Sequence, residues 1–220
     1  MSRKIQDIAP LIADDFINYE VEEQTLQEYR DLLEKEKHRL GLYYDYLPLL
    51  HDSRILDVSF SDTRFTLFLN DYSRYSMASA LVDKKGYDVD KAQMQFPIEI
   101  DFDVSSMIFN SVDESGTLHE TEPVVPDVLL YEQIIAFKED TMEVALVFLK
   151  EHADADDEYI LVILTVKEIQ LLELQDKNWW QYFDESSRPY LDIYKAELAK
   201  GAWVSDQWVC EKLINEVDNS

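Results

Sequence analysis

The chain has 220 residues, 46% of them hydrophobic and 12% aromatic, which excludes a disordered acidic tail. Lys and Arg number 20 against 46 Asp and Glu, for a net charge of −26, so nucleic acid and anionic membranes repel it. The single Cys210 excludes an internal disulfide and a cysteine-rich zinc site.

The opening Met1-Ser2-Arg3-Lys4-Ile5-Gln6-Asp7 carries charge at once and does not read as a secretory signal. Ile5, Ile8, Ile12 and Phe16 recur at helical spacing, with Pro10 expected to kink or split the element. A longer helix is expected over Glu22 to Tyr46, ended by Pro48. Its apolar residues Leu26, Tyr29, Leu33, Leu40 and Tyr44 fall on three- and four-residue steps or their sum.

The period then changes to two. Ile55, Asp57, Ser59 and Ser61 are expected on one face, and Leu56, Val58 and Phe60 on the core face. Asp62-Thr63 turns the chain into Arg64 to Leu69, which predicts a hairpin. Residues 72–95 give no clear pattern apart from a turn at Asp83-Lys84-Lys85-Gly86.

Strand patterns resume at Ile98 to Phe102 and at Met107 to Phe109, and Asp113 to Gly116 predicts a turn. Val128 to Phe137 reads as a strand, or as a short helix followed by one. Further strands are expected at Met142 to Leu149, Tyr159 to Val166 and Ile169 to Leu172. The longest apolar runs fall short of the roughly 20 residues that a membrane span needs.

Beyond these strands, Trp179 to Phe183 is a dense aromatic cluster, expected to be a seam between helices and sheet, with ligand binding the alternative. Helices follow, with Pro189 early in one and Ser205 capping the last. The short connections favour antiparallel neighbours. The expected fold is α+β, a mainly antiparallel sheet of about six to eight strands with an N-terminal helical segment and C-terminal helices. It forms a single domain over 1–220: helical segment 1–50, sheet 51–175 and helices 176–220.

Several clusters could carry chemistry. Glu99, Asp101 and Asp103 alternate with Ile98, Ile100 and Phe102, which places three carboxylates on one strand face. Such a row suits acid–base or metal chemistry, or the wet face of an antiparallel sheet. Its self-repulsion calls for a cation nearby. Asp154, Asp156, Asp157 and Glu158 crowd one loop, as calcium ligands or as a solvated hairpin tip; the loop lacks the glycine and distal Glu of an EF-hand. His51-Asp52 stands at the entry to the first strand, as a turn cap or as part of a metal site. No phosphate loop, dinucleotide fingerprint, nucleophile elbow or thiol pair is present.

Leu49-Leu50-His51-Asp52-Ser53-Arg54-Ile55 with its hairpin, and Leu129-Leu130-Tyr131-Glu132-Gln133-Ile134 with the strand pair after it, resemble an uncharacterised family of bacterial cytoplasmic proteins carrying a domain of unknown function. The resemblance covers about half the chain and implies no activity. In acidity and size the chain is also similar to acidic immunity proteins that neutralise bacterial toxins.

Residues 101–166 hold sixteen acidic side chains against Lys138 and Lys150. This excess serves solubility or docks a basic partner. The expectation is a cytoplasmic, non-enzymatic acidic protein, immunity-like or inhibitor-like. It would recognise a basic protein through Glu99, Asp101, Asp103, Asp154, Asp156 and Asp157, with no metal, cofactor, nucleic acid or membrane. The alternative is a metal-dependent hydrolase using carboxylates, with His51 and Asp52 as ligands. Convergence of His51, Glu99, Asp101 and Asp103 in one pocket would favour the hydrolase.

Overall fold

A computed structural model describes residues 3–17, 20–47, 50–72, 75, 97–153 and 156–173. The expected C-terminal helices, the Trp179–Phe183 cluster, the turn at Asp83–Gly86, and Pro48, Asp154 and Cys210 lie outside the described residues.

Pro10 does split the first element. A 3-10 turn, Ile5–Asp7, precedes helix α1, Pro10–Ile17, and proline suits the first helical position because its missing N–H would have no intrahelical partner. The single helix expected over Glu22–Tyr46 is two, α2 (Glu23–Leu40) and α3 (Leu42–Tyr46). Gly41 separates them at φ 56°, ψ −133°, a conformation that side-chain-bearing residues resist.

Seven strands follow: β1 (Ser53–Ser61), β2 (Arg64–Asn70), β3 (Pro97–Val112), β4 (Leu118–Glu120), β5 (Val128–Phe137), β6 (Met142–Lys150) and β7 (Glu158–Glu173). All pair antiparallel. The sheet runs β2-β1-β5-β6-β7-β3-β4, and β2 also pairs with β3, which closes six strands into a barrel. Closure removes sheet edges and divides each strand into an inner and an outer face.

The seam of the barrel lies between β1 and β5. These strands pair only at Ser53–Leu129 and Arg54–Val128. Helix α2 lies over the part of β5 beyond that pairing. The Ile134 N–H donates to the Tyr29 hydroxyl at 3.1 Å, and the Arg39 guanidinium donates to the carbonyls of Lys138 (2.8 Å) and Thr141 (3.0 Å). The helix thus supplies bonds that a strand neighbour would otherwise make.

The inner core holds Phe65, Leu67, Leu69, Ile98, Ile100, Phe102, Val144, Leu146, Phe148, Val162 and Leu164, joined by Leu40, Tyr43, Tyr46 and Leu50 from the helical segment. A second core lies outside the barrel, where Ile5, Ala9, Ile12 and Ala13 cover Val112, Ala145, Val147 and Leu161. Gln133 of β5 ties this coat down, its Oε1 accepting from the N–H groups of Leu11 (3.1 Å) and Ile12 (3.4 Å) at the start of α1.

The strands differ from expectation where bulges intervene. Leu56, expected inward, is 37% exposed. The register between β1 and β2 shifts between Ile55 and Asp57, so Ile55 and Val58 both pack on the inner core. The two short strands expected at Ile98–Phe102 and Met107–Phe109 are one strand, β3, with irregularities between Asp103 and Ser106. The two expected between Tyr159 and Leu172 are likewise one, β7. Val128–Phe137 is strand throughout. No helix among the described residues is long and apolar enough to cross a membrane.

Candidate functional site

The outer wall formed by β2, β3 and β7 is polar where the opposite wall is apolar. Its pattern follows from strict alternation. Phe65, Leu67 and Leu69 face in, which turns Arg64, Thr66 and Phe68 out. Ile98, Ile100 and Phe102 face in, which turns Glu99, Asp101 and Asp103 out. Ile169 and Leu171 are buried, which turns Glu168, Gln170 and Leu172 out.

The registers align these residues in three cross-strand rows: Arg64–Asp103–Glu168, Thr66–Asp101–Gln170 and Phe68–Glu99–Leu172. Thr63, Arg64, Asp101, Asp103, Glu168 and Gln170 line an open cleft of about 340 Å³.

The three expected carboxylates share this wall, but they do different work. Asp101 is only 13% exposed at its side chain. It pairs with Arg64 and accepts from the Thr66 hydroxyl at 2.9 Å, so it braces β2 against β3. Asp103 is 50% exposed, with Lys167 Nζ at 3.8 Å. Glu168 accepts from Gln170 Nε2 at 3.0 Å. The Glu99 side chain makes no ion pair or hydrogen bond with another described residue, and sits between Phe68 and the 51% exposed Leu172. Among the described residues, four carboxylates thus face two cations, Arg64 and Lys167, and Asp103 and Glu168 are exposed.

The other expected residues are elsewhere. Asp156 and Asp157 are exposed in the β6–β7 loop, where Asp157 Oδ1 accepts from the His152 N–H at 3.2 Å. That loop joins the Glu158 end of β7, ten residues from Glu168, or about 33 Å along the strand. His51 Nδ1 lies 3.2 Å from Asp52 Oδ2, in a turn where Asp52 takes φ 61°. This turn precedes Ser53, whereas the cleft lies at the Ser61–Arg64 end of the hairpin. His51 does not join the carboxylate row. Among the described residues no group of three or more His, Cys, Asp or Glu is placed to hold a metal ion.

A second polar cluster escaped the sequence reading. Glu132 pairs across β5–β6 with Leu146, a residue of the inner core, so its side chain enters the barrel. Its Oε2 is buried with no hydrogen-bond partner, as is the hydroxyl of Tyr43 from α3. Burial holds the Glu132 carboxyl well above the usual carboxylate range. Burial also raises Tyr43, with the Glu132 and Tyr29 charges adding to the effect. Tyr29 is raised by burial too, against the lowering bond from Ile134. The signal in the sequence was a lone acid inside the apolar run Val128–Phe137.

No protein-family model, curated protein or solved structure matches this chain.

Proposed function

We propose that the protein is a non-enzymatic binding protein whose acidic outer cleft receives a basic segment of a partner protein. The observation that carries this reading is the exposed pair Asp103 and Glu168 lining the cleft, with the half-buried Glu99 two rows along the same barrel wall. A barrel wall is rigid, so its charges keep their spacing and lose little entropy on binding. The opposite wall is already covered by the N-terminal segment. Phe68 and Leu172 flank Glu99 and supply apolar contact beside the charge, the mixture that specific interfaces use. A net charge of −26 speeds encounter with a cationic partner and opposes nucleic acid. A cytoplasmic role as an immunity-like or inhibitor-like protein fits these properties.

The test starts from a partner captured from native lysate at low salt, whose association rate is then measured across a salt series. Replacing Glu99 and Glu168 by Gln and Asp103 by Asn should slow association about tenfold at low salt, and less as screening shortens its reach to about 8 Å. Asp101 is left intact because it braces the wall. Replacing Asp156 and Asp157 by Asn should change the rate much less, since a loop tip can move away. Salt-independent association, or an acidic partner, would reduce the charge to a means of solubility.

A further inference from the structure

We propose that Glu132, Tyr43 and Tyr29 form a proton-operated latch, which holds α2 and α3 in the barrel while Glu132 is protonated and loosens them when it ionises. The geometry makes the site sensitive to charge. Glu132 Oε2 and the Tyr43 hydroxyl are both buried and both lack a partner. Across the strand pair Glu132 faces Leu146, which in turn pairs with Val162. Both neighbours are apolar.

The other groups packed against this region offer no counter-charge. From α3 the contributions are Tyr43 and the fully buried Tyr46; Tyr44 donates to Glu34 Oε2 at 2.9 Å on the exposed side, and Asp45 is exposed. From α2 it is Tyr29. Lys35 and Arg39 both lie near Glu36, at 3.5 and 3.8 Å, and Arg39 also binds the β5–β6 turn. From β1, Ile55 and Val58 pack on this core while Asp57 is exposed. A charge on Glu132 therefore has no cation to meet among the described residues.

Ionised, the carboxylate must hydrate its buried Oε2. A way out is the seam, where β1 leaves β5 and, among the described residues, α2 lies over the strand. Lifting α2 hydrates the carboxylate and breaks the Tyr29–Ile134 bond. The folded protein holds the Glu132 proton more tightly than the unfolded chain, whose carboxyl has its ordinary value of 4.5. The closed state is therefore fully favoured below that pH and is lost progressively as pH rises toward the folded value. The raised tyrosines keep their protons throughout this range.

The test compares the wild-type chain with Glu132→Gln, which keeps the shape and cannot ionise. Denaturant unfolding across a pH series from about pH 5 upward should show the wild-type folding constant falling relative to the variant, approaching tenfold per pH unit, the slope of one proton, until the folded value is reached. Every other carboxylate titrates in both proteins and cancels. Hydrogen exchange should quicken at the Ile134 amide of the wild type while the amides of Leu146 and Val162 stay protected. Equal pH slopes in the two proteins would overturn the latch. So would a uniform loss of protection through β6 and β7, which would make Glu132 a global stability element. If Glu132→Gln does not fold, the infrared spectrum of the wild type at neutral pH decides. A protonated carboxyl band supports the latch, and its absence overturns it.

Discussion

Phe102→Ala is expected to lower the unfolding free energy by about 3–5 kcal/mol, the range for deleting a buried ring that leaves a cavity. Phe102 is fully buried on the inner face of β3. It pairs with Phe65 of β2 and Ile169 of β7. Its ring lies 6.0 Å from that of Phe65, and 5.9 Å edge-on from that of Tyr43, with 81° between the planes. One side chain thus joins three strands to α3. None of these neighbours can close the gap without moving a strand, because barrel closure fixes strand positions. Leu172→Ala on the outer face provides the control. Leu172 is 51% exposed, and its loss should change stability by no more than about 0.5 kcal/mol. Urea unfolding of the two variants measures the contrast. A Phe102→Ala cost under about 1 kcal/mol would mean that the inner core repacks freely.

The parts of this fold that were legible in the sequence are those fixed by local pattern. The β1–β2 hairpin follows from alternation on either side of Asp62-Thr63. The shared face of Glu99, Asp101 and Asp103 follows from period two alone. What period could not show is partnership. Asp101 is committed to Arg64, 37 residues earlier, and only the β2–β3 register brings them together. Closure itself rests on that same pairing, between strands that residues 71–96 separate in the chain. Bulges misled the reading for a related reason. An extra residue at Leu56 reverses the parity of everything before it. The break expected between Ile98–Phe102 and Met107–Phe109 is an irregularity within β3, between Asp103 and Ser106. Two features did carry a signal: Gly41 stood inside a helical pattern, and Glu132 was the one acid in the run Val128–Phe137.

The N-terminal coat depends on one close approach, so Gly116→Val should detach it at a cost of about 2–3 kcal/mol. Asp113 builds the turn that delivers Gly116. Its Oδ1 accepts from the Ser115 hydroxyl (2.7 Å) and from the N–H groups of Ser115 and Thr117 (2.9 Å each). Those bonds, the Ser115 hydroxyl first, hold its carboxyl well below the usual range. Gly116 then takes φ +74°, where a β-branched residue is strained by about 1–2 kcal/mol. A Cβ there would lie 2.9 Å from Ile17 Cδ1 and 3.0 Å from Ile5 Cγ2. The end of Ile17 can rotate away, but Ile5 is fully buried, and its N–H donates to the Gly116 carbonyl at 2.9 Å. Relief therefore requires the segment from Ile5 to Ile17 to lift. That movement bares Ala145, Val147 and Leu161 on the outer wall while the inner core stays intact. The expected result is a folded barrel that binds a hydrophobic dye and is cut by protease within the first twenty residues. Gly116→Ala should show the same effects more weakly, since it keeps the backbone strain and adds only the Cβ. Dye binding and cleavage unchanged from wild type would show that the coat is held by Gln133 and the α1 contacts without help from this turn.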